Sequence, residues 1–132
     1  MDNNASSQNE SVLRSLVAIQ PNGYTSLDNY GFCQLSENPT DFAVEWLLLP
    51  ENQGRISYPE FCMNQNNKAI DFLFASFKNH DWHDKIYPDS LHRNKNPRAK
   101  RLIELYLKGC NFANREECVR YFSEKLQKGI VL

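Results

Sequence analysis

Glycine is scarce in this sequence, with five among 132 residues. Loops that cradle phosphate groups are built largely from glycine-rich backbone. Neither a P-loop, a dinucleotide-binding fingerprint nor a G-x-S-x-G motif occurs anywhere in the chain. The sequence therefore argues against nucleotide-dependent enzymes, and we expect no cofactor.

The sequence also lacks a secretory leader and any long apolar run. Its first ten residues are polar and acidic, whereas a leader would be basic and then apolar. No apolar run approaches the roughly 18–20 residues of a membrane span. The four cysteines show no C-x-x-C spacing, and without a leader free thiols are the default state. We therefore expect a soluble, cytoplasmic protein that is not associated with a membrane.

The length and the spacing of apolar residues predict a mainly α-helical fold. A chain of 132 residues with 41% hydrophobic content fits one domain. We predict a flexible tail at 1–9 and a single compact helical domain at 10–132, with four or five helices. Residues 24–36 show no helical period and are predicted to form a short β-hairpin or an irregular segment. Apart from a faint likeness between 55–60 and 85–90, no internal repeat is evident.

Four local signals position the helices along the chain. Asn-Pro pairs at 38–39 and 96–97 are typical helix starts, because asparagine caps free amides and proline is tolerated at the first helical position. Ser57 and Glu60 have the spacing of a capping box. The polar run at 64–67 weakens a helix that begins there and marks a point at which it can divide. Ile70, Leu73, Phe74 and Phe77 then form an i, i+3, i+4, i+7 stripe, which predicts a central buried helix.

The C-terminal third is predicted to form an antiparallel helix hairpin. Its first helix starts at the Asn-Pro pair at 96–97 and ends at Gly109. Its second helix starts at Asn114 and ends at Gly129. The short connection between them favours antiparallel packing.

One segment resembles the second half of an EF-hand calcium loop. In the stretch 51–61, Gly54 and Glu60 have the spacing of the sixth and twelfth loop positions. The first, third and fifth positions are Leu49, Glu51 and Gln53, so the leading carboxylate of such a loop is missing. The residues are equally explained by a turn followed by a helix cap, and we expect no calcium site here.

His80 and His83 are the metal candidates in the sequence, with His92 or a carboxylate as a third ligand, or with Cys110 and Cys118. They flank Trp82 in a run that also holds two aspartates, and two histidines three apart can share a metal ion. No further ligand set has a recognised spacing. The alternative is a polar loop that Trp82 anchors, and we predict neither a metal centre nor catalytic residues.

Charge is distributed unevenly along the chain. Residues 1–91 hold twelve acidic and five basic residues, whereas 92–132 hold four acidic and ten basic residues. Five of the basic residues fall within ten positions at 92–101. Such asymmetry indicates either a polarised surface that meets a partner or two faces of the same chain that neutralise one another.

From these patterns the sequence predicts a small protein-binding module that acts as an adaptor, inhibitor or regulatory subunit. A nucleic-acid-binding protein that uses the same basic strip at 92–101 is the alternative, because phosphates attract such clusters and aromatic rings stack on bases. The predicted partner-binding residues are Arg93, Lys95, Arg98, Lys100, Arg101, Trp82 and Tyr87.

Overall fold

The computed structural model describes residues 5–18, 27–79, 81, 84–109, 116–117 and 120, and none of these lies in a β-strand. The α-helices are α1 (Glu10–Val17), α2 (Asn29–Glu37), α3 (Asp41–Leu48), α4 (Tyr58–Phe61), α5 (Asn67–Lys78), α6 (Pro88–Arg93) and α7 (Pro97–Gly109). A 3-10 helix at Pro50–Arg55 connects α3 to α4. None of the described helices is long and apolar enough to cross a membrane.

The helices form consecutive pairs that stack on one another. Each pair consists of a first helix, a short turn and a second helix: α2 with α3, α4 with α5, and α6 with α7. Helix α2 packs against α4, whereas α1, α3, α5 and α7 form a row in which each helix contacts the next. This arrangement of similar units is that of a short helical solenoid.

A nine-residue pattern recurs in the turn of each pair. It reads apolar-x-x-Asn-x-Asn/Thr-x-x-Ala, and it runs over residues 35–43, 61–69 and 91–99. The apolar residue and the alanine are fully buried in all three copies: Leu35, Phe61 and Leu91, with Ala43, Ala69 and Ala99. The sequence therefore contains an internal repeat, with spacings of 26 and 30 residues between its copies. The expectation that no repeat is present was wrong.

Buried asparagines at the fourth position of this pattern join each pair to the chain that precedes it. The Asn64 side-chain amide donates to the carbonyl oxygens of Ser36 (3.0 Å) and Asn38 (2.8 Å). Its own Oδ1 accepts from the backbone N–H of Asn66 at 2.9 Å. The side chain thus satisfies two acceptors and one donor of the main chain, which buried backbone groups require.

The same three bonds recur at the other two turns. Asn94 donates to the carbonyl oxygens of Cys62 (3.0 Å) and Asn64 (2.7 Å). Asn38 donates to those of Ala5 and Ser7, both at 2.8 Å. We call the series Asn38, Asn64 and Asn94 the asparagine ladder. All three side chains are at most 2% exposed.

A second row of polar residues runs along the outer side of the ladder. Thr40, Asn66 and Asn96 are the N-caps of α3, α5 and α7, because each side chain accepts from a backbone amide in the first turn of its helix. The two asparagines also donate backwards, Asn66 to the Pro39 carbonyl (2.9 Å) and Asn96 to that of Gln65 (2.8 Å). The turns at Asn66 and Asn96 are therefore each fixed to the preceding turn by two side chains.

The predicted helix starts were partly correct. Asn96 caps α7 with Pro97 at the first helical position, as predicted. At 38–39, however, the cap is Thr40, and Asn38 belongs to the ladder. The predicted division near 64–67 is also found, since the four-residue α4 ends before α5 begins.

The central helix is confirmed, because all four residues of its predicted stripe are buried in α5. The prediction of four or five helices was too low, since the described residues alone form seven α-helices. The predicted hairpin or irregular segment was wrong for 29–36, which lie in α2, whereas 24–26 lie outside the described residues. Helix α6 was not predicted either, because the stretch around it has the composition of a loop.

The two ends of the chain are described only in part. Helix α7 matches the first arm of the predicted C-terminal hairpin, and the second arm lies outside the described residues except for 116, 117 and 120. At the other end, Ala5 and Ser7 are buried, and Ser7 Oγ accepts from the Asn9 backbone amide at 3.0 Å. Part of the segment expected to be a flexible tail therefore supports the first rung of the ladder, and the domain boundary at residue 10 stays a prediction.

Candidate functional site

The basic strip of the sequence lies at the turn between α6 and α7. Arg93 is the last residue of α6, Lys95 lies in the turn, and Lys100 lies in the first turns of α7. All three side chains are exposed. No ion pair joins any of them to another residue within the part of the chain that the structure describes.

The other two basic residues of the strip are held by carboxylates of the same chain. The guanidinium of Arg98 pairs with Asp71 on α5, and that of Arg101 contacts Glu104 at 3.0 Å. Arg98 Nε is buried without a hydrogen-bond partner among the described residues. Arg98 therefore links α7 to α5, and the freely exposed charge of the strip comes from Arg93, Lys95 and Lys100.

The aromatic and histidine candidates are only partly covered by the structure. Tyr87 precedes α6 and is 40% exposed, so its ring is accessible at the other end of α6 from Arg93. Trp82, His80 and His83 lie outside the described residues. Among the residues that are described, no three His, Cys, Asp or Glu side chains come together in a group suited to a metal ion.

The segment that resembles a calcium loop folds as two short helices. Gly54 lies in the 3-10 helix, and a Cβ added there would meet no atom within 4 Å. The side-chain amide of Gln53 donates to the Leu48 carbonyl at 2.9 Å, so this residue closes the end of α3. The segment is a helical connection between two repeats.

The predicted capping box at the start of α4 does not form, although Ser57 is the N-cap residue. The Ser57 backbone amide donates to Ser36 Oγ (2.9 Å) in the preceding pair, and its hydroxyl donates to the Glu60 carboxylate. A capping box would instead have the serine hydroxyl accept from the Glu60 amide. Contact with the preceding repeat therefore replaces the local cap.

Arg55 ends the 3-10 helix and lies over two stacked aromatic rings. The rings of Phe32 and Trp46 are nearly parallel, with centroids 6.3 Å apart. The guanidinium carbon of Arg55 is 5.8 Å from each centroid. The two rings come from α2 and α3, so a contact between paired helices creates the surface on which the cation rests.

The guanidinium of Arg55 is hydrogen-bonded to the side chain of Asn52, which is itself held by the backbone. Arg55 Nη1 donates to Asn52 Oδ1 at 3.4 Å, and the buried Asn52 donates its own amide to the Trp46 carbonyl at 2.9 Å. No carboxylate forms an ion pair with Arg55 among the described residues. The Glu60 carboxylate accepts a hydrogen bond from the Ser57 hydroxyl.

A recess of about 360 Å³ opens beside this arginine. Its described lining consists of Asn29, Phe32, Cys33, Gly54, Arg55, Ile56 and Ser57. The Cys33 thiol is partly buried and donates to Ser57 Oγ at 3.5 Å. The lining combines an apolar floor with one cation and small polar groups, and it contains no described acidic residue.

The buried Cys62, which follows α4, and the half-buried Tyr58, its first residue, have raised pKa values. Burial raises the pKa of the Cys62 thiol to about 11. Burial, with a smaller effect from the negative charges of Asp84 and Asp81, raises the pKa of Tyr58 to about 12. Both side chains are therefore neutral at physiological pH and serve packing.

Surface charges link α3 to α5 in the same way that Arg98 links α5 to α7. Lys68 contacts Glu45, and its ammonium lies 3.7 Å from Asp41. The hydrogen bond from Asn66 and the charge of Lys68 hold the pKa of Asp41 below its ordinary value. The hydrogen bond to Glu45 raises the pKa of Lys68.

No protein-family model matches this chain, and no curated protein or solved structure is similar to it. The assignment of function therefore rests on the geometry of the chain itself.

Two features of the site had no prediction from the sequence. The asparagine ladder had a detectable signal, since an asparagine followed five positions later by an alanine occurs at 38, 64 and 94. The Arg55 recess had none, because its lining combines Phe32 of α2 with Arg55 and Ile56 from a separate part of the chain.

Proposed function

We propose that this protein is a small helical-repeat module that binds another protein, as an adaptor, an inhibitor or a regulatory subunit. The observation that carries the proposal is the stacking of helix pairs through the asparagine ladder. Stacked repeats present a continuous surface built from equivalent positions of successive units, and solenoids use such surfaces to bind extended partners.

The exposed basic residues at the α6–α7 turn are the proposed contact surface. Among the described residues, Arg93, Lys95 and Lys100 have no carboxylate partner and can meet carboxylates of another protein, whereas Arg98 and Arg101 already have intramolecular ones. Recognition of this kind is steric and electrostatic. Opposite charge accelerates association, and added salt weakens it.

Charge reversal of single residues tests this surface. The variants Arg93→Glu, Lys95→Glu and Lys100→Glu are compared with Arg14→Glu, an equal change of charge on the exposed Arg14 of α1. Tagged full-length chains capture partners from native lysate with and without nuclease, and affinities for the purified partner are then measured at two salt concentrations.

We expect at least one of the three variants to lose about tenfold or more in affinity, while Arg14→Glu binds like the wild type and every circular dichroism spectrum is unchanged. Retained affinity in all three would remove this surface from the proposal. Recovery that disappears with nuclease would favour the alternative of nucleic-acid binding, for which the logarithm of affinity falls linearly with the logarithm of salt concentration.

A further inference from the structure

We infer that the recess beside Arg55 binds an acidic side chain of a peptide segment in the partner protein. The inference rests on the proposed function, because it supplies a specific anchor for protein binding on a surface separate from the basic turn. The occupant is an aspartate or glutamate whose carboxylate pairs with Arg55 and whose neighbouring residues contact the apolar floor.

The charge of Arg55 has no carboxylate partner among the described residues. Of the other four basic residues within 1–91, Lys78 lies over the Phe74 ring, and three pair with carboxylates: Arg14 with Glu10, Lys68 with Glu45, and Lys85 with Asp81. Arg55 instead contacts two rings and one amide oxygen. Within the described residues its guanidinium thus retains N–H donors for an incoming anion.

The guanidinium of Arg55 is held in place before any ligand arrives. Its central carbon lies 5.8 Å from the ring centroids of Phe32 and Trp46, and one of its edges is hydrogen-bonded to the buried Asn52. A planar guanidinium fork matches a carboxylate through two parallel hydrogen bonds. Prior orientation reduces the entropy that is lost on binding.

The size and chemistry of the recess suit a single acidic side chain. Its volume of about 360 Å³ lies within the range typical of ligand pockets, which starts at roughly 300 Å³. A single cation over an apolar floor with Phe32 and Ile56 suits a monoanion attached to an apolar chain. A phosphate dianion is better matched by a cluster of several cations, which the described lining does not provide.

The test selects peptides from a random phage-displayed library on the full chain. Affinities of the enriched peptides are measured for the wild type, Arg55→Gln and Arg14→Gln. Arg14 is a matched control, because its guanidinium also lies over a ring, 4.8 Å from the Phe42 centroid, but is paired with Glu10. Each peptide is also made with its acidic residue replaced by the corresponding amide.

We expect enriched peptides to share an aspartate or glutamate at one position. Its replacement by the amide should weaken binding to the wild type by at least about tenfold and leave binding to Arg55→Gln nearly unchanged, because the two changes remove the same contact. Arg14→Gln should bind like the wild type. The melting temperature of Arg55→Gln should lie within a few degrees of that of the wild type, which excludes loss of the fold as the cause.

Enriched peptides without a common acidic position, equal binding by Arg55→Gln, or no enrichment at all would overturn the inference. Displacement of the peptide by inorganic phosphate at much lower concentration than by acetate would also overturn it, since the site would then select phosphate. If a natural partner depends on Arg93, Lys95 or Lys100 but not on Arg55, the proposed function stands and this inference fails.

Discussion

The buried and the exposed sides of the inter-helix turns have the same spacing but different chemistry. On the buried side, each turn carries an asparagine with the same three hydrogen bonds. On the exposed side, the residue four positions further on differs at every turn. These residues are Phe42, Lys68 and Arg98, and their contacts in the preceding unit are Arg14, Glu45 and Asp71.

The hydrogen-bond geometry of the turn requires an asparagine at the buried position. At the exposed position, the two residues of a pair need only be complementary to each other. An asparagine side chain offers two N–H donors and one carbonyl acceptor on a short stem, which matches two carbonyls and one amide of the main chain. On the surface, a cation over a ring and an ion pair of either polarity give similar, small energies. Three experiments test this comparison.

The largest effect is expected at the middle of the asparagine ladder. Asn64→Ala leaves the carbonyls of Ser36 and Asn38 and the amide of Asn66 without partners. Each unsatisfied buried group costs about 1–3 kcal/mol, so we expect the free energy of unfolding to fall by at least about 3 kcal/mol in urea titrations.

Gln65→Ala is the control for this variant, because Gln65 is exposed and contributes only its backbone carbonyl to the bond from Asn96. We expect this change to stay within about 0.5 kcal/mol. A loss below about 1 kcal/mol for Asn64→Ala would show that the ladder is not a main source of stability.

An intermediate effect is expected from alkaline titration of the buried Cys62 thiol next to the ladder. Its pKa is about 11 in the folded chain, against 9.0 for an ordinary thiol. Since the folded pKa is the higher one, its contribution to stability is complete below pH 9 and is lost as pH rises to 11. The loss should reach about 2–3 kcal/mol, and Cys62→Ala should make stability decline less steeply over this interval.

Cys33→Ala removes a partly exposed thiol. It is the control for how steeply the free energy of unfolding changes with pH. The comparison uses the change of unfolding free energy with pH, so any constant cost of the cavity at residue 62 cancels. Equal slopes for the wild type and Cys62→Ala would contradict the assignment of this alkaline loss to the buried thiol.

The smallest effect is expected at the exposed pair of Arg98 and Asp71. A double-mutant cycle with Arg98→Gln and Asp71→Asn should give a coupling energy of about 0.5 kcal/mol that decreases in 1 M salt. Exchange of the two charges, Asp71→Arg with Arg98→Asp, should recover part of the loss. A coupling above about 2 kcal/mol would show that this pair also has a strict geometric requirement.

The sequence predicted those elements whose signals are local. The apolar stripe of α5 and the Asn-Pro start of α7 each lie within one helix, and both were found. Helix α2 was missed because its caps, Asp28 and Asn38, look equally like residues of a turn, and its first turn contains Gly31.

The ladder and the recess were missed because their signals are not local. Each repeat shares only about four residues with the next, and the connections between copies differ in length, so periodicity within one window cannot detect them. Asn38 was assigned to helix capping because the Asn-Pro pair satisfies that rule, although the cap lies two residues further on. The basic strip was visible in sequence, but the pairing of Arg98 with Asp71 depends on how α7 packs against α5.

The asparagine ladder also has a consequence for the chemical ageing of the chain. Deamidation converts an asparagine into an aspartate, which has no N–H donors and carries a negative charge. Asn38 is protected from this reaction, because Pro39 has no backbone N–H to attack its side-chain carbonyl. At Asn64 or Asn94 the new charge would face two main-chain carbonyl oxygens in a buried position, a costly arrangement. The folded state holds these amides in place, so damage at these positions should accumulate during time spent unfolded and prevent refolding. The time over which the protein stays able to fold would then depend on how rarely it unfolds.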